Sequence, residues 1–353
     1  MTSRFAIAIL AMLILALGAG LRLARLGADP DPLRSLTNSN GVVTDPGWYL
    51  AVAVDHSYAH PADVGAQYEK PIFTALARLG FALGGVTPAG TQITAALAGI
   101  FLILAGGAAA WIAFGSRAGL CAGFLLATSF PLVGYGRIAL VYGPLAAGLA
   151  IVFALAAVGL KKPPAMWLAW LTLAALVIWL KETAILAAPG LALATIAGSK
   201  HPRRSALAVC ALGIVALIVV VAVFPDRLAS VVAKLQAYAG NAAGMPSRLI
   251  RGPFLDRFVP FSAVPLLLAA IGGLGVFQAE LPRSERIFIG ALAAWFAVTI
   301  LVQAPLRFYP DEGGFVPLRH LVPALVPAAI LAAVTIRGVS PATLGLVLVL
   351  VTL

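Results

Sequence analysis

Charged residues are scarce in this sequence. They make up 10% of its 353 residues, whereas soluble domains average about 25%. Hydrophobic residues make up 61%, and the mean hydropathy is +1.01, so a soluble globular protein is excluded. Aromatic residues are also few, at 8%, and the ten-residue alternating segments of an outer-membrane barrel are missing. Long apolar runs recur instead, which indicates an all-α, polytopic helical membrane protein.

Cysteine is limited to Cys121 and Cys210. Both lie in apolar runs, so we interpret them as small packing residues rather than as a disulfide or metal ligands. The formal net charge of +11 would suggest a nucleic-acid partner for a soluble protein. In a membrane protein it is explained by cytoplasmic anchoring and by contacts with lipid phosphates. We therefore expect membrane lipids, and no nucleic acid, as partners.

The apolar runs predict about 11 transmembrane helices in one domain, residues 1–353, without a separate soluble domain. Arg22 and Arg25 follow the first run directly, which favours an uncleaved span over a signal peptide. The first outer loop is predicted at 22–90 and the second at 225–259. The predicted spans are 5–21, 91–114, 119–136, 138–160, 165–180, 183–198, 205–224, 260–279, 287–303, 319–336 and 339–353.

The segment 71–85 is apolar but short and contains Arg78, and its placement decides the topology. If it lies on the membrane surface, one side of the membrane collects more than twice the basic residues of the other. Basic residues mark the cytoplasmic side. We therefore predict a surface helix at 71–85, and a plasma (inner) membrane protein whose active site faces outward. The richer side carries Arg117, Lys161, Lys162, Lys200, Arg203, Arg204, Arg283, Arg286 and Arg337, and the poorer side Arg137, Lys181, Arg307 and Arg319.

Two acidic positions in the first outer loop are candidates for chemistry. Asp45 precedes Pro46, so it could be a catalytic base or simply a helix N-cap. Glu69 and Lys70 precede Pro71, where Lys70 could hold a phosphate at a helix start. Both pairs could equally be ordinary features of helix starts.

A metal site is a further alternative in this loop. His56 and His60 stand four residues apart, on one face of a helix, and could hold a divalent metal with Glu69 or Asp63. Ordinary polar surface is the other interpretation, because the spacing fixes no third ligand. No other cofactor is indicated.

Three charged positions lie between later spans on the predicted outer side. Arg137 and Arg319 could hold a phosphate or anchor the chain at the interface. Lys181 could do the same, or form a self-neutralising pair with Glu182. These three side chains and Lys70 are the predicted phosphate-binding set.

Four of these stretches, taken in order, resemble polyprenyl-phosphate-dependent glycosyltransferases of the GT-C fold, in particular the branch with protein O-mannosyltransferases and aminoarabinose lipid A transferases. An acidic residue before an aromatic pair opens the series in the first outer loop. A Lys-Pro helix start, a Lys-Glu-Thr between middle spans and a basic Leu-x-Pro start of a late span follow. They are Asp45–Tyr49, Glu69–Pro71, Leu180–Thr183 and Arg319–Pro323.

The chain departs from the family pattern at three points. Pro46 stands where the family often has Glu, His320 stands where Tyr is common, and no carboxylate follows Arg137 closely. The resemblance implies a polyprenyl-phosphate sugar donor and a lipid, glycan or protein acceptor. It further implies an inverting reaction with Asp45 as general base. A transporter or flippase for lipid-linked sugars and a noncatalytic envelope-assembly scaffold are the alternatives.

Overall fold

Every regular element in the described part of the chain is helical. The computed structural model describes residues 2–24, 26, 45–55, 70–138, 140–223, 259–307 and 317–338. Short 3₁₀ helices lie at Glu182–Ala187, Leu274–Phe277 and Pro317–Leu321. The α-helices are α1 Thr2–Leu23, α2 Asp45–Val54, α3 Pro71–Gly84, α4 Pro88–Phe114, α5 Ser116–Thr128, α6 Phe130–Tyr135, α7 Tyr142–Gly159, α8 Pro163–Trp179, α9 Ala188–Gly198, α10 Pro202–Val223, α11 Val259–Gly273, α12 Arg283–Arg307 and α13 Val322–Ile336.

Within the described ranges, five helices are long and apolar enough to cross a bilayer. They confirm a helical, multi-pass membrane protein. The shorter apolar helices include Pro71–Gly84, Pro163–Trp179 and Glu182–Gly198. The five long segments are Arg4–Leu23, Gln92–Phe114, Tyr142–Gly159, Arg283–Gln303 and Arg319–Ile336.

Several predicted spans are interrupted. The run 119–136 is divided at Ser129 into α5 and α6, and Pro131 sits in the first turn of α6. The run 183–198 begins as a 3₁₀ helix before α9, and 319–336 also begins as one before α13. Hydropathy depends on composition alone, so it could not locate these breaks. The predicted last span, 339–353, lies outside the described residues.

The helices α7 and α13 form the centre of the bundle. Most of the span in α7 and of that in α13 is buried, at 72% and 83%, whereas only 11% of the α1 span is buried. A helix that is apolar all round belongs inside a bundle. Small residues allow the surrounding helices to approach closely: Gly107 of α4 faces Gly119 of α5 across main-chain atoms. Cys121 is buried as predicted, but Cys210 is exposed on α10, so its prediction as a packing residue is wrong.

The helix α3 is 14 residues long and packs on the beginning of α4. The Thr94 hydroxyl donates to the Leu76 carbonyl at 2.6 Å. A side chain at Gly80 would come within 2.5 Å of the Gly90 carbonyl. At 1.5 Å rise per residue, α3 reaches only about 21 Å, short of the roughly 30 Å hydrocarbon core. The packing on α4 fixes Lys70, the residue immediately before α3, relative to the bundle.

Two arginines cap helix ends in the bundle. Arg22 of α1 is completely buried and donates to the carbonyls of Leu126 and Ala127 at 2.9 and 3.1 Å. In a continuous helix the carbonyl of Ala127 would accept a hydrogen bond from the residue four positions later, but that residue is Pro131, which has no N–H. Arg137 makes the return contact, donating to the carbonyls of Leu21 and Ala24 at 2.8 Å each. Each guanidinium therefore stabilises the negative end of a helix dipole.

Arg22→Ala should destabilise the protein by about 1–3 kcal/mol for each buried carbonyl that loses its donor. Thermal unfolding in detergent measures the loss. Arg4→Ala, at an exposed position of the same helix, is the matched control and should unfold like the wild type. Equal unfolding temperatures for the two variants would contradict the capping role of Arg22.

Candidate functional site

Six polar side chains from four separate parts of the chain meet at the starts of several helices. The ion pair between Lys70 and Glu182 and the contacts of Tyr142 with Arg319 and His320 join elements far apart in sequence. We call this group the Glu182 cluster. It consists of Lys70, Tyr142, Lys181, Glu182, Arg319 and His320.

Glu182 is shared by two lysines. Lys70 Nζ lies 3.2 Å from Glu182 Oε2, and Lys181 Nζ lies 3.3 Å from Glu182 Oε1. Both lysine side chains are 10% exposed and the glutamate is 30% exposed. Because the lysines use different carboxylate oxygens, the two ammonium groups are held side by side.

Tyr142 contacts three other members of the cluster. Its hydroxyl is 2.8 Å from His320 Nδ1, and the two rings meet edge to face. Lys181 Nζ and Arg319 Cζ lie 5.7 and 5.9 Å from the centre of the tyrosine ring, within cation–π range. Lys181 and Arg319 thus share the Tyr142 ring as a contact.

Helix starts position these residues. Lys70 is the N-cap of α3, and Pro71 fits the first helical position because its missing N–H would have no helical partner there. Tyr142 is the first residue of α7, and neither α3 nor α7 has a side-chain cap. Lys181 follows the C-cap of α8 in an extended conformation and is the N-cap of the 3₁₀ helix that begins at Glu182. The positive ends of α3 and α7 therefore point toward the cluster.

The structure brings together three of the four predicted phosphate-binding residues: Lys70, Lys181 and Arg319. Arg137 instead has one amino group on the carboxyl end of α1. Glu182 also differs from its sequence interpretation, because it pairs with Lys70 as well as with its neighbour Lys181. The phosphate-binding role of these residues stays a prediction.

The structure describes only part of the other predicted site residues. Asp45 is the first described residue of α2, close to its predicted place at a helix start. Its side chain, together with His56, His60 and Glu69, lies outside what the structure describes. The base and the metal ligands therefore stay predictions.

Sequence reasoning missed the role of Tyr142. A tyrosine at a helix start has no charge to distinguish it in an apolar chain, and its meeting with His320 spans 178 positions. The stretch from Arg137 to Tyr142 is distinguished in the sequence only by its lack of a carboxylate, and the tyrosine at its end gives no signal of a site residue. Only tertiary packing identifies it.

The geometry of the cluster suits an anion. Three cationic side chains converge where two helices present their positive ends. A phosphate oxygen is a strong acceptor that can compete with Glu182 for the lysine ammonium groups. The arrangement can hold and neutralise a phosphate at a helix-rich, largely water-poor site.

Solved structures of similar fold show that this helical membrane architecture is GT-C-like. The crystal structure of ArnT from Cupriavidus metallidurans bound to undecaprenyl phosphate matches with a TM-score of 0.63 and 18% identity. The match covers 99% of this chain and 62% of that one. The same protein in the apo state matches with a TM-score of 0.64 and 17% identity, over 99% and 63%.

A more distant similarity extends to an archaeal protein. The oligosaccharyltransferase AglB from Archaeoglobus fulgidus, in complex with an inhibitory peptide and a dolichol-phosphate, matches with a TM-score of 0.61 and 12% identity. The match covers 95% of this chain and 50% of that chain. The chain thus spans less than two thirds of the solved proteins that it resembles. No family model and no curated protein matches the sequence.

Glu182→Gln should lower the unfolding temperature by about 2–6 °C, because the neighbouring cations then repel one another without a shared carboxylate. Inorganic phosphate should restore most of that loss by taking the place of the carboxylate. Thermal unfolding in detergent, with and without phosphate, measures both effects.

Glu285→Gln provides the matched control, since Glu285 pairs with Arg337 at 2.7 Å at the opposite end of α12. That variant should gain much less from phosphate. Equal recovery of both variants would show that phosphate stabilises the protein without a specific site at the Glu182 cluster.

Proposed function

We propose that this protein is a membrane glycosyltransferase that moves a sugar from a polyprenyl-phosphate donor to an acceptor hydroxyl. The observation that carries the proposal is the convergence of Lys70, Lys181 and Arg319 at the Glu182 cluster. The GT-C-like fold supports it, because two matching structures contain a polyprenyl phosphate or dolichol-phosphate. The acceptor is a lipid, a glycan or a protein.

The cations would act on the leaving group. As the bond between the anomeric carbon and the phosphate oxygen breaks, negative charge grows on the phosphate. Ammonium and guanidinium groups already in place stabilise that charge without reorganising. Lys70 and Lys181 would exchange part of their contact with Glu182 for the phosphate. The lipid donor brings its own phosphate, so a metal is not required on physical grounds.

Asp45 would act on the acceptor. Its carboxylate takes the proton of the acceptor hydroxyl, and the oxygen attacks the anomeric carbon from the face opposite the phosphate. A bond from the acceptor oxygen to the sugar forms, the polyprenyl phosphate leaves, and the configuration inverts. Glu69, His56 and His60 are the proposed ligands if a divalent metal assists.

The proposal includes an orientation in the membrane. With about 11 spans in one domain and α3 lying at the surface, the Glu182 cluster opens to the outer face of a plasma (inner) membrane. The charge asymmetry of the turns between spans supports this orientation.

Asp45→Asn tests the reaction. Asparagine can still cap a helix but cannot accept a proton at neutral pH, so transfer should fall by at least ~10²-fold while binding of the polyprenyl-phosphate donor stays near normal. The assay follows radiolabelled sugar from donor to product with purified protein. A variant that keeps most of its turnover would refute Asp45 as the base.

The same assay distinguishes the alternatives when it uses wild-type protein in liposomes. Consumption of the donor indicates an enzyme. Movement of the labelled donor across the bilayer without consumption indicates a flippase, and neither result indicates a scaffold. The first outcome is the expected one.

Single cysteines test the orientation. In a background without Cys210, which is exposed, Val86→Cys should react with a membrane-impermeant reagent added outside intact cells. Val86 follows α3 and is 72% exposed. Lys200→Cys, between α9 and α10, should react only after permeabilisation. The reverse pattern would refute the outward-facing site.

A further inference from the structure

The buried face of α12 changes from apolar to polar along its length. Phe288, Leu292 and Trp295 are completely buried, and Thr299 and Gln303 continue the same face at helical spacing. Thr299 is 2% exposed and Gln303 is 4% exposed. We call Thr299 and Gln303 the α12 polar pair.

Neither member of the pair has its oxygen satisfied within the described part of the chain. The Thr299 hydroxyl and the Gln303 carbonyl oxygen are buried and make no hydrogen bond there. Other helical threonines behave differently: Thr128 and Thr195 donate to the carbonyl four residues earlier, at 2.9 and 2.7 Å. A buried polar group without a partner is destabilising, and each one calls for an explanation.

The contacts of α9 place the α12 polar pair beside the Glu182 cluster. Arg283, at the start of α12, donates to the carbonyl of Ala197, near the end of α9. Farther along α12, the carbonyl of Ala291 lies so close to Gly190, near the start of α9, that a side chain at Gly190 would collide with it. The two helices therefore run antiparallel. The 3₁₀ helix Glu182–Ala187 precedes α9 and also contacts α12. Because α9 and α12 run antiparallel, we infer that this contact lies beyond Ala291 along α12. Thr299 and Gln303 occupy that later part of α12.

The contacts of α7 give the same position. Phe153 of α7 stacks on Trp295, with ring centres 4.4 Å apart. From this stack, α7 runs back to Tyr142 over about 16 Å and α12 runs on to Gln303 over about 12 Å. Both helices reach the 3₁₀ helix Pro317–Leu321, where His320 meets Tyr142 and where α12 makes contacts of its own. We therefore infer that Gln303 and Tyr142 lie at the same end of the bundle.

We propose that the α12 polar pair binds hydroxyl groups of the sugar on the donor and helps to determine which sugar is accepted. This inference rests on the proposed function. A neutral hydroxyl and a neutral carboxamide are suited to sugar hydroxyls, which both donate and accept hydrogen bonds. The nearby cations are suited to the phosphate, and the apolar helix faces to the lipid chain.

The burial of the pair supports specificity as well as binding. A site that hydrogen-bonds a substrate hydroxyl rejects an analogue without that hydroxyl, because buried polar groups then stay unpaired. The Thr299 hydroxyl and the Gln303 carbonyl oxygen are unpaired in this way within the part of the chain that the structure describes. A sugar that satisfies both would be preferred over one that satisfies neither.

Thr299→Val and Gln303→Met test the inference, since both keep the volume and remove the hydrogen-bonding group. Binding is measured for undecaprenyl phosphate alone and for undecaprenyl phosphate carrying glucose, mannose, galactose or arabinose. Each variant should bind the preferred sugar-bearing carrier about 3–10-fold more weakly, with unchanged binding of the bare carrier. Thr172→Val, at an exposed threonine that bonds to the Leu168 carbonyl, is the matched control and should bind all carriers normally.

Thermal unfolding without ligand separates binding from a structural role. Removing an unsatisfied buried oxygen should leave the unfolding temperature unchanged or raise it, whereas a structural role predicts a fall. The inference is overturned if the variants keep the sugar discrimination of the wild type, or if they bind bare and sugar-bearing carriers equally more weakly. It is also overturned if the wild type prefers no sugar-bearing carrier over the bare one. A wild type that binds no carrier at all instead refutes the proposed function, and the inference with it.

Discussion

The sharing of Glu182 by two lysines is the interaction on which the arrangement of this site depends. It joins Lys70, before α3, to a turn 112 positions later in the chain. Because α3 is fixed on α4 and Lys181 lies two residues after the end of α8, this carboxylate connects the start of α3 with the middle of the bundle. A single carboxylate shared by two lysines also keeps their ammonium groups close together. The same contacts thus hold the start of α3 against the turn after α8.

The sequence predicts the helical membrane fold well because each span must satisfy its own backbone in lipid, so local composition is enough. Charges that stand out in an apolar chain likewise predict Lys70, Lys181 and Arg319 as site residues, and each of them contacts Glu182 or Tyr142 in the Glu182 cluster. The role of Tyr142 could not be predicted, since it depends on a partner 178 positions away. Nor could sequence separate Arg137 from the other cations, because all four have the same charge and sidedness.

Arginine has two distinct uses in this bundle, and geometry distinguishes them. Arg22 and Arg137 donate to carbonyls at helix ends, where the main chain itself supplies the negative partner. Arg319 lies over the Tyr142 ring beside Lys181, at the amino-terminal ends of helices. A cation at a helix carboxyl end is stabilised by the dipole, whereas one at an amino end is opposed by it. Only the second arrangement favours an added anion.

The buried contacts of α7 and α12 change from apolar to polar toward the Glu182 cluster. Toward their other ends, the two helices pack through Phe153, Phe288 and Trp295, where each contact is satisfied by apolar neighbours. At the end with Tyr142, cations face helix amino ends, and the oxygens of the α12 polar pair have no hydrogen-bond partner among the described residues. The apolar packing can hold such an arrangement in place, since it fixes the helices independently of the polar groups. A phosphate would neutralise the cations at the helix amino ends, and a neutral polyhydroxyl group attached to it would also supply hydrogen-bond partners for the α12 polar pair. A phosphate alone would do only the first.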